Sequence, residues 1–207
     1  MLKYPANCIT GLILTAALVL LPTSQSRAGT VLQVGTNDLL SESALVIHGH
    51  VTERWTEYDQ RSDTIYTNFR IDIEDIIKGK YLDDTIVVKF VGGTHAGRAL
   101  SISDMHMPTV GEEGIYFVER PGVIQVHPFY GWQQGHFVVR HSTDGMEKVI
   151  HTADLRPVFA VDPAQRTPVH YISTGVATGI DTQELESREP MTIAAFKTRL
   201  RQLAEVQ

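Results

Sequence analysis

Apolar and polar residues alternate along much of the chain with the period of a half-buried β-strand. The clearest run is Thr64 to Ile73, in which isoleucine, threonine and phenylalanine occupy every second position and mostly polar residues lie between them. A period of two directs one face of a strand to a core and the other to solvent. Ile76 and Ile77 continue the run up to Lys78-Gly79-Lys80. The pattern therefore predicts one long strand that ends near residue 78.

Shorter apolar, β-branched segments predict several further strands. Pro121-Gly122 and Asp144-Gly145 are turn signals between them, and the second is typical of a hairpin. Many short strands separated by such turns are typical of a small barrel or sandwich. The predicted strands are Ala44 to Trp55, Thr85 to Val91, Ala99 to Ile102, Gly114 to Glu119, Val123 to His127, Gly135 to His141 and Glu147 to His151.

Two segments predict helices. Asn37 to Ser41 is typical of a short helix with Thr36 or Asn37 as its N-cap. Near the end of the chain, Thr192 is a candidate N-cap for a helix from Ile193 to about Ala204. An isolated helix of this length is marginal in water, so we expect it to dock on the rest of the protein. Its predicted apolar stripe is Ile193, Phe196, Leu200 and Leu203.

The N-terminal segment has the three parts of a cleavable signal peptide. Lys3 precedes the uncharged run Ile9 to Leu21, Pro22 interrupts that run, and Ser26-Arg27-Ala28 supplies small residues for cleavage. The run is shorter than the ~20 apolar residues that a membrane-spanning helix needs. We therefore predict a signal peptide over residues 1–28, and a periplasmic or secreted protein with no stable membrane anchor after cleavage.

The order of these features resembles a known module. The stretch Ala44 to Val51 leads to a strand ending in Lys78-Gly79, and Gly111 to Phe117 follows as a later "G-x-x-Y/F" strand. This order resembles the netrin and tissue-inhibitor-of-metalloproteinase module, which is an OB-fold barrel. The chain is also similar to a family of uncharacterised exported bacterial proteins that share these blocks and a "Q-G-x-F-x-V" block, here Gln134 to Val139.

The resemblance covers roughly residues 44–140 and implies a mainly β fold. We expect a small OB-like β-barrel, closed or partly open, over residues 29–154, with a short N-terminal helix. Residues 155–207 then form an extended segment and a C-terminal helix that packs on the barrel. The eukaryotic inhibitors chelate a protease zinc through an N-terminal cysteine, but the only cysteine here is Cys8, inside the predicted signal peptide. Their inhibitory mechanism is therefore not expected.

The charge of the chain argues against two classes of partner. The formal net charge is −6, and the predicted signal peptide contains two basic residues and no acidic one, which leaves −8 after cleavage. Nucleic-acid binding depends on lysine and arginine that neutralise phosphates. Anionic membrane surfaces likewise attract basic segments. We therefore expect no nucleic-acid partner.

His48 and His50 are the best candidates for metal chemistry. They lie two residues apart on a predicted strand, so both side chains point to the same face and could begin a zinc or copper site. The alternative is that both lie on the polar face of an ordinary strand. No H-x-x-x-H or C-x-x-C spacing supports a site, so the prediction is that no metal and no cofactor is bound. Further ligand candidates are His95, Met105, His106, Met107 and His127.

Other candidate chemistry is weaker. Ser101 and Ser103 lie near Asp104 and His106, but no G-x-S-x-G motif accompanies them. The pairs Glu74-Asp75 and Glu112-Glu113 could supply an acid and a base, yet adjacent strand residues face opposite sides. Solvated charges are the expected interpretation of both pairs.

Tyr130 and Trp132 are the predicted contact residues. They share a face if their segment is extended, and aromatic side chains beside amides can bind peptides or glycans. The sequence as a whole predicts a non-catalytic exported β-barrel module that binds a protein or another macromolecule. The alternatives are a histidine-based metal-binding periplasmic protein and, third, a hydrolase.

Overall fold

A computed structural model describes residues 31–165, 173–185 and 188–206 of the chain. The predicted signal peptide over residues 1–28 lies outside the described residues. Within them the fold is mainly β, with helices α1 (Thr36–Glu42) and α2 (Ile193–Glu205) and a 3-10 turn at Trp132–Gly135. The strands are β1 (Leu45–Asp59), β2 (Thr64–Lys78), β3 (Thr85–Val91), β4 (Gly93–His95), β5 (Arg98–Leu100), β6 (Glu113–Val118), β7 (His136–His141), β8 (Lys148–Thr152), β9 (Ala160–Val161) and β10 (Ile180–Asp181).

Six of the strands form one antiparallel sheet in the order β3-β2-β1-β6-β7-β8. The long strands β1 and β2 pair along most of their 15 residues. β1 also pairs with β6 through its first half, from Leu45 to His50. The first half of β1 is therefore hydrogen-bonded on both sides and forms the centre of the sheet.

The expectation of a barrel is met only in its β character, because the described residues form an open antiparallel sheet and no closed barrel. A predicted strand at Val123 to His127 is wrong, since the described structure has no strand there. One backbone hydrogen bond, from Val91 N to Val126 O at 3.1 Å, joins the edge strand β3 to this segment. Beyond Tyr116, β6 instead bonds to residues 128–130, through Glu119 N to Pro128 O and Tyr130 N to Phe117 O. The segment before Pro128 therefore has this single backbone bond to β3 and not the ladder of bonds that defines a strand.

Most of the other strand predictions are confirmed within two residues. The alternating run from Thr64 is β2, which ends at Lys78, and Thr85–Val91 is β3 as predicted. β1 continues to Asp59, further than the predicted end at Trp55. The extra length arises because β1 and β2 form a hairpin whose pairing extends to Asp59 and Thr64 at the turn.

The sheet has an apolar core on each face. Alternation in β1 directs Val46 to one core and Leu45 and Ile47 to the other. The first, the helix-side core, lies between the sheet and both helices and includes Val34, Leu39, Leu40, Val46, Ile115, Phe117, Phe137, Ile150, Val158, Phe196, Leu200 and Leu203. The second, the hairpin-side core, includes Leu45, Ile47, Val51, Phe69, Ile71, Ile86, Val88, Phe90, Tyr116, Val118 and Phe129.

Helix α1 begins at Thr36, so neither Thr36 nor Asn37 is its N-cap as predicted. Gly35 is the N-cap, and its backbone N–H donates to the carboxylate of Asp38 at 2.8 Å. Thr36 lies inside the helix, where its hydroxyl donates to Asp162 O at 2.6 Å and accepts from Ala164 N at 2.9 Å. The hydroxyl that the sequence suggests as a cap therefore fastens α1 to the later extended segment.

The prediction of α2 is confirmed. Thr192 is its N-cap and accepts a hydrogen bond from Ala195 N at 3.2 Å. Phe196, Leu200 and Leu203 are buried in the helix-side core, and the ring centroid of Phe196 lies 5.0 Å from that of Phe137. The helix therefore docks on its own sheet. None of the helices in the described ranges is long and apolar enough to cross a membrane.

Replacing Phe196 by alanine should destabilise the protein strongly. The side chain has no exposed surface, and the loss of a buried phenylalanine costs about 3–5 kcal/mol. Urea unfolding followed by circular dichroism measures this change. The exposed Gln202 on the same helix gives a matched control, since Gln202→Ala should change the free energy of unfolding by less than about 0.5 kcal/mol. Equal stability of the two variants would show that α2 is not part of the core.

Candidate metal centre

His48 and His50 lie on the helix-side face of β1. They follow Val46, the residue of β1 that belongs to the helix-side core. The His48 side chain is 6% exposed and that of His50 is 35% exposed. Gly49 between them allows a close approach of β2, because a Cβ atom there would lie 2.3 Å from Asp72 O. The predicted common face of the two histidines is confirmed by their shared partners, described below.

Glu74 reaches this face because of a β-bulge in β2. His48 pairs with Asp75 and Gly49 with Ile73, which leaves Glu74 as an extra residue on β2. A bulge changes the direction of side chains locally. Glu74 contacts both histidines, while Asp75 contacts Lys197 and Arg201 of α2 on the same side of the sheet. The interpretation of Glu74-Asp75 as residues on opposite faces is therefore wrong.

Glu113 reaches the histidines from the other neighbour of β1. It lies at the start of β6, directly opposite His50. The adjacent Glu112 points to the hairpin side, where its Oε1 accepts hydrogen bonds from His136 Nε2 at 2.7 Å and Tyr116 Oη at 3.2 Å. For the pair Glu112-Glu113, the expected opposite orientation is confirmed.

The four side chains form a ring in which imidazoles and carboxylates alternate. His48 lies between Glu74 Oε2, 3.3 Å from its Nδ1, and Glu113 Oε1, 3.0 Å from its Nε2. His50 lies between Glu74 Oε1, 2.9 Å from its Nδ1, and Glu113 Oε2, 3.4 Å from its Nε2. Each carboxylate thus faces one nitrogen of each imidazole. We call these four residues the His/Glu ring.

Three members of the ring each bring one donor atom close enough to the others to share a metal ion. Zinc binds imidazole nitrogen and carboxylate oxygen at about 2.0–2.2 Å, so neighbouring ligand atoms of a tetrahedral site lie about 3.3–3.5 Å apart. The four N···O contacts of 2.9 to 3.4 Å join eight different atoms, so they describe the ring and not the edges of one coordination sphere. Donor atoms of His48, Glu74 and Glu113 all lie within 4.8 Å of one another. His50 is not part of this cluster and faces the other oxygen of each carboxylate from the one that His48 faces.

His48 is the buried member of the ring and has an incompletely satisfied nitrogen. Its Nδ1 makes no hydrogen bond of acceptable geometry, although Glu74 Oε2 lies 3.3 Å away. Buried polar atoms without a partner are uncommon in folded proteins, and an ion or water bound at the site is one explanation. The nitrogen of His48 that faces Glu74 is therefore available to a metal ion.

Glu113 remains ionised in the ring. Burial by itself raises the pKa of its carboxyl, but hydrogen bonds from Lys148 and His48 outweigh burial, and the pKa is lowered from its ordinary value. Lys148 Nζ lies 2.7 Å from Glu113 Oε2. An ionised carboxylate is the form that binds a cation.

The histidines expected as third ligands lie elsewhere. His95 is on β4, where its Nδ1 lies 3.2 Å from Thr56 O. His127 is buried against Phe90 and Trp132, and burial lowers its pKa to about 3, so it remains neutral. The backbone carbonyl of His106 faces His127 Nε2 at 3.3 Å. The two glutamates complete the cluster instead.

The residues considered for copper binding and hydrolysis form no site either. Met105 and Met107 pack against the hairpin-side core as partly buried apolar residues. No hydrogen bond joins Ser101 or Ser103 to His106 in the part of the chain that the structure describes. A Ser–His pair therefore does not form in this loop.

Tyr130 and Trp132 do not share an extended segment. Gly131 and Trp132 have φ values of 68° and 60°, and Trp132 begins the 3-10 turn. Tyr130 packs against the helix-side core, whereas Trp132 stacks on His127 with ring centroids 5.3 Å apart. The prediction that the two side chains share a face is wrong, because it required an extended backbone. Their role as contact residues stays a prediction from the sequence.

An open depression adjoins the His/Glu ring. Its volume is about 610 Å³, and two ring members, His50 and Glu113, line it. Its other lining residues come from the segment before β6 and from the end of β7, including Glu112, Arg140 and His141. Solvent can therefore reach the half-exposed side of the ring. Comparisons of the chain with protein-family models, with curated proteins and with solved structures found no match.

Asp75 next to the ring should stabilise the protein only while it is ionised. Lys197 Nζ lies 2.6 Å from Asp75 Oδ2, and Arg201 donates to both carboxylate oxygens at 2.7 and 2.8 Å. Burial opposes ionisation, yet these bonds outweigh burial and lower the pKa of Asp75. Because the pKa is lower in the folded state, the stabilisation is present above the ordinary value of about 3.9 and is lost as the pH falls through the folded-state value.

Asp75→Asn should therefore reduce the free energy of unfolding at pH 7 by about 1–3 kcal/mol, the usual range for hydrogen bonds to charged groups. Urea titrations at pH 7 and at pH 3 should show this difference shrinking in acid. The exposed Asp83 gives the control, and Asp83→Asn should have little effect at either pH. A difference between Asp75→Asn and wild type that is the same at both pH values would contradict the assignment.

Proposed function

We propose that this protein binds a divalent first-row transition-metal ion, with zinc as the best fit, through His48, Glu74 and Glu113 and with His50 as a fourth ligand. The observation that supports the proposal is the cluster of donor atoms of His48, Glu74 and Glu113, which all lie within 4.8 Å of one another. His50 contacts the same two carboxylates. Metal binding by histidines is the first alternative function that the sequence suggests.

The donor set favours zinc over other common ions. Two imidazole nitrogens and two carboxylate oxygens suit zinc and its neighbours in the first transition row. Calcium prefers six to eight oxygen ligands, and copper(I) prefers sulfur. The methionines that could supply sulfur, Met105 and Met107, pack in the other core.

The metal is not needed to build the fold. Both faces of the sheet have extensive apolar cores, and the ring lies beyond the helix-side core. Small domains depend on metal mainly when their core is too small. We therefore expect the protein to stay folded and to melt cooperatively after a strong chelator has removed its metal.

Zinc titration of the metal-free protein, followed by calorimetry or by competition with a chromophoric chelator, tests the proposal. We expect one site per chain. His48→Gln and the more exposed Glu74→Gln should each weaken binding by at least about tenfold, because each removes a ligand. His106→Gln is a matched control outside the ring and should bind as wild type does. Equal affinities of all four proteins, or no binding by wild type, would refute the proposal.

Binding of a polypeptide, the function expected from the sequence, is a second proposal with its own support. A groove of about 220 Å³ lies between the edge strand β3 and residues 118–128. Its rim exposes Val87 and Ile124, which are 41% and 57% accessible. The backbone N–H of Val91 points away from β2, and by alternation along β3 the backbone groups of Lys89 and Val87 point the same way. On this outer edge of β3 the described residues supply no backbone partner for Lys89 and Val87. An extended apolar peptide suits such an edge.

Peptides selected from a random library on the immobilised protein test this second proposal. Selected peptides should lose at least about tenfold in affinity for Val87→Lys, since a buried charge at the groove is costly. Leu82→Lys, at a fully exposed leucine outside the groove, is the matched control. Selection of no peptide, or equal affinity for Val87→Lys, would contradict it.

We also propose that the sheet is related to the OB-like module that the sequence resembles. The run β3-β2-β1-β6-β7 is antiparallel throughout, and residues 126–130 connect β6 with the end of β3. Export to the periplasm or medium, a non-enzymatic role and the relation to netrin-like and exported bacterial modules remain proposals on the basis of the sequence.

A further inference from the structure

Lys148 is the one cation in direct contact with the carboxylates of the His/Glu ring among the described residues. Its Nζ lies 2.7 Å from Glu113 Oε2, the same oxygen that His50 Nε2 approaches to 3.4 Å. Lys148 therefore compensates the charge of one of the two ring carboxylates.

The position of Lys148 allows it to leave the ring without disturbing the fold. It is the first residue of β8, an edge strand of the sheet, and its side chain is 44% exposed. It pairs across the sheet with His141, which lines the open depression. A long flexible side chain at this place can turn into solvent while the backbone pairing of β8 stays intact.

A metal ion and Lys148 would share the carboxylate of Glu113, because Lys148 contacts Oε2, the oxygen that also faces His50, and His48 faces Oε1. One divalent ion neutralises the two ring carboxylates if the imidazoles that bind it are neutral. The ammonium of Lys148 would then be an excess positive charge beside the ion. Like charges at such distances repel strongly in a partly buried site. Metal binding must therefore displace Lys148 from Glu113 or tolerate this repulsion.

We propose, on the basis of the proposed metal site, that Lys148 is an internal competitor that occupies Glu113 when metal is absent and keeps metal binding reversible. In this arrangement the ammonium prevents the carboxylates from repelling each other in the metal-free protein. It also lowers the affinity for metal, since its contact with Glu113 is lost on binding. The ring then functions as an exchangeable metal site rather than as a permanently filled structural one.

Substitution of Lys148 tests the inference directly. Lys148→Met should increase the affinity for zinc by at least about tenfold, because it removes the competing charge. Lys148→Arg retains the charge and should stay within about threefold of wild type. Lys80→Met removes one positive charge at an exposed position outside the ring, and its affinity should equal that of wild type. An affinity of Lys148→Met that is equal to or weaker than that of wild type would overturn the inference.

Chemical labelling of lysine provides a second readout on the unmodified chain. Saturating zinc should free the Lys148 ammonium from Glu113 and accelerate its acetylation by at least about threefold, as mass spectrometry of peptides would measure. The labelling rate of Lys80 should not change. A Lys148 rate that is unchanged or slower with zinc would show that the ammonium stays on Glu113.

The two proposals fail in different ways. If wild type binds no zinc, or if His48→Gln binds as tightly as wild type, the metal site itself is wrong. If zinc binds at the ring but Lys148→Met and the labelling rate show no effect, the metal site stands and only the competition by Lys148 is wrong.

Discussion

The first half of β1 is hydrogen-bonded to β2 on one side and to β6 on the other, and the rest of the structure depends on this double pairing. At β1 an apolar core also covers each face of the sheet. The alternating side chains of β1 therefore lie in two different surroundings. In β1, Leu45 and Ile47 fill the hairpin-side core, and Val46 fills the helix-side core. A shift of one residue in pairing would exchange these faces and place both histidines in an apolar core. The register is therefore strongly specified.

The same register brings the charged groups together. His50 lies directly opposite Glu113, and the bulge opposite His48 turns Glu74 towards the histidines. Three neighbouring strands thus contribute side chains to a ring that no single strand could form. Asp75, the next residue after the bulge, binds Lys197 and Arg201 of α2. The bulge in β2 consequently positions both the candidate metal ligands and the anchor of the C-terminal helix.

Charge compensation distinguishes the ring from the acidic surface of the chain as a whole. The formal net charge of the protein is −6, yet the partly buried carboxylates near the ring all have identified partners. Glu113 is paired with Lys148 and His48, and Glu112 with His136. A metal ion would replace protons and one ammonium as the partner of these groups. In the proposed function, this exchange of partners would be the physical basis of metal binding and of its reversibility.

The sequence alone determined the strands β2 and β3, the stripe of α2 with Thr192 as its cap, and the common face of His48 and His50, because period and capping are local properties. It could not identify Glu74 and Glu113 as partners of the histidines, since they lie 24 or more and 63 or more residues further along the chain and one of them depends on a bulge. It also misjudged Val123 to His127 and the segment of Tyr130 and Trp132. A strand needs a continuous ladder of hydrogen bonds to a neighbour and a common face needs extended backbone, and only the tertiary structure decides whether either forms.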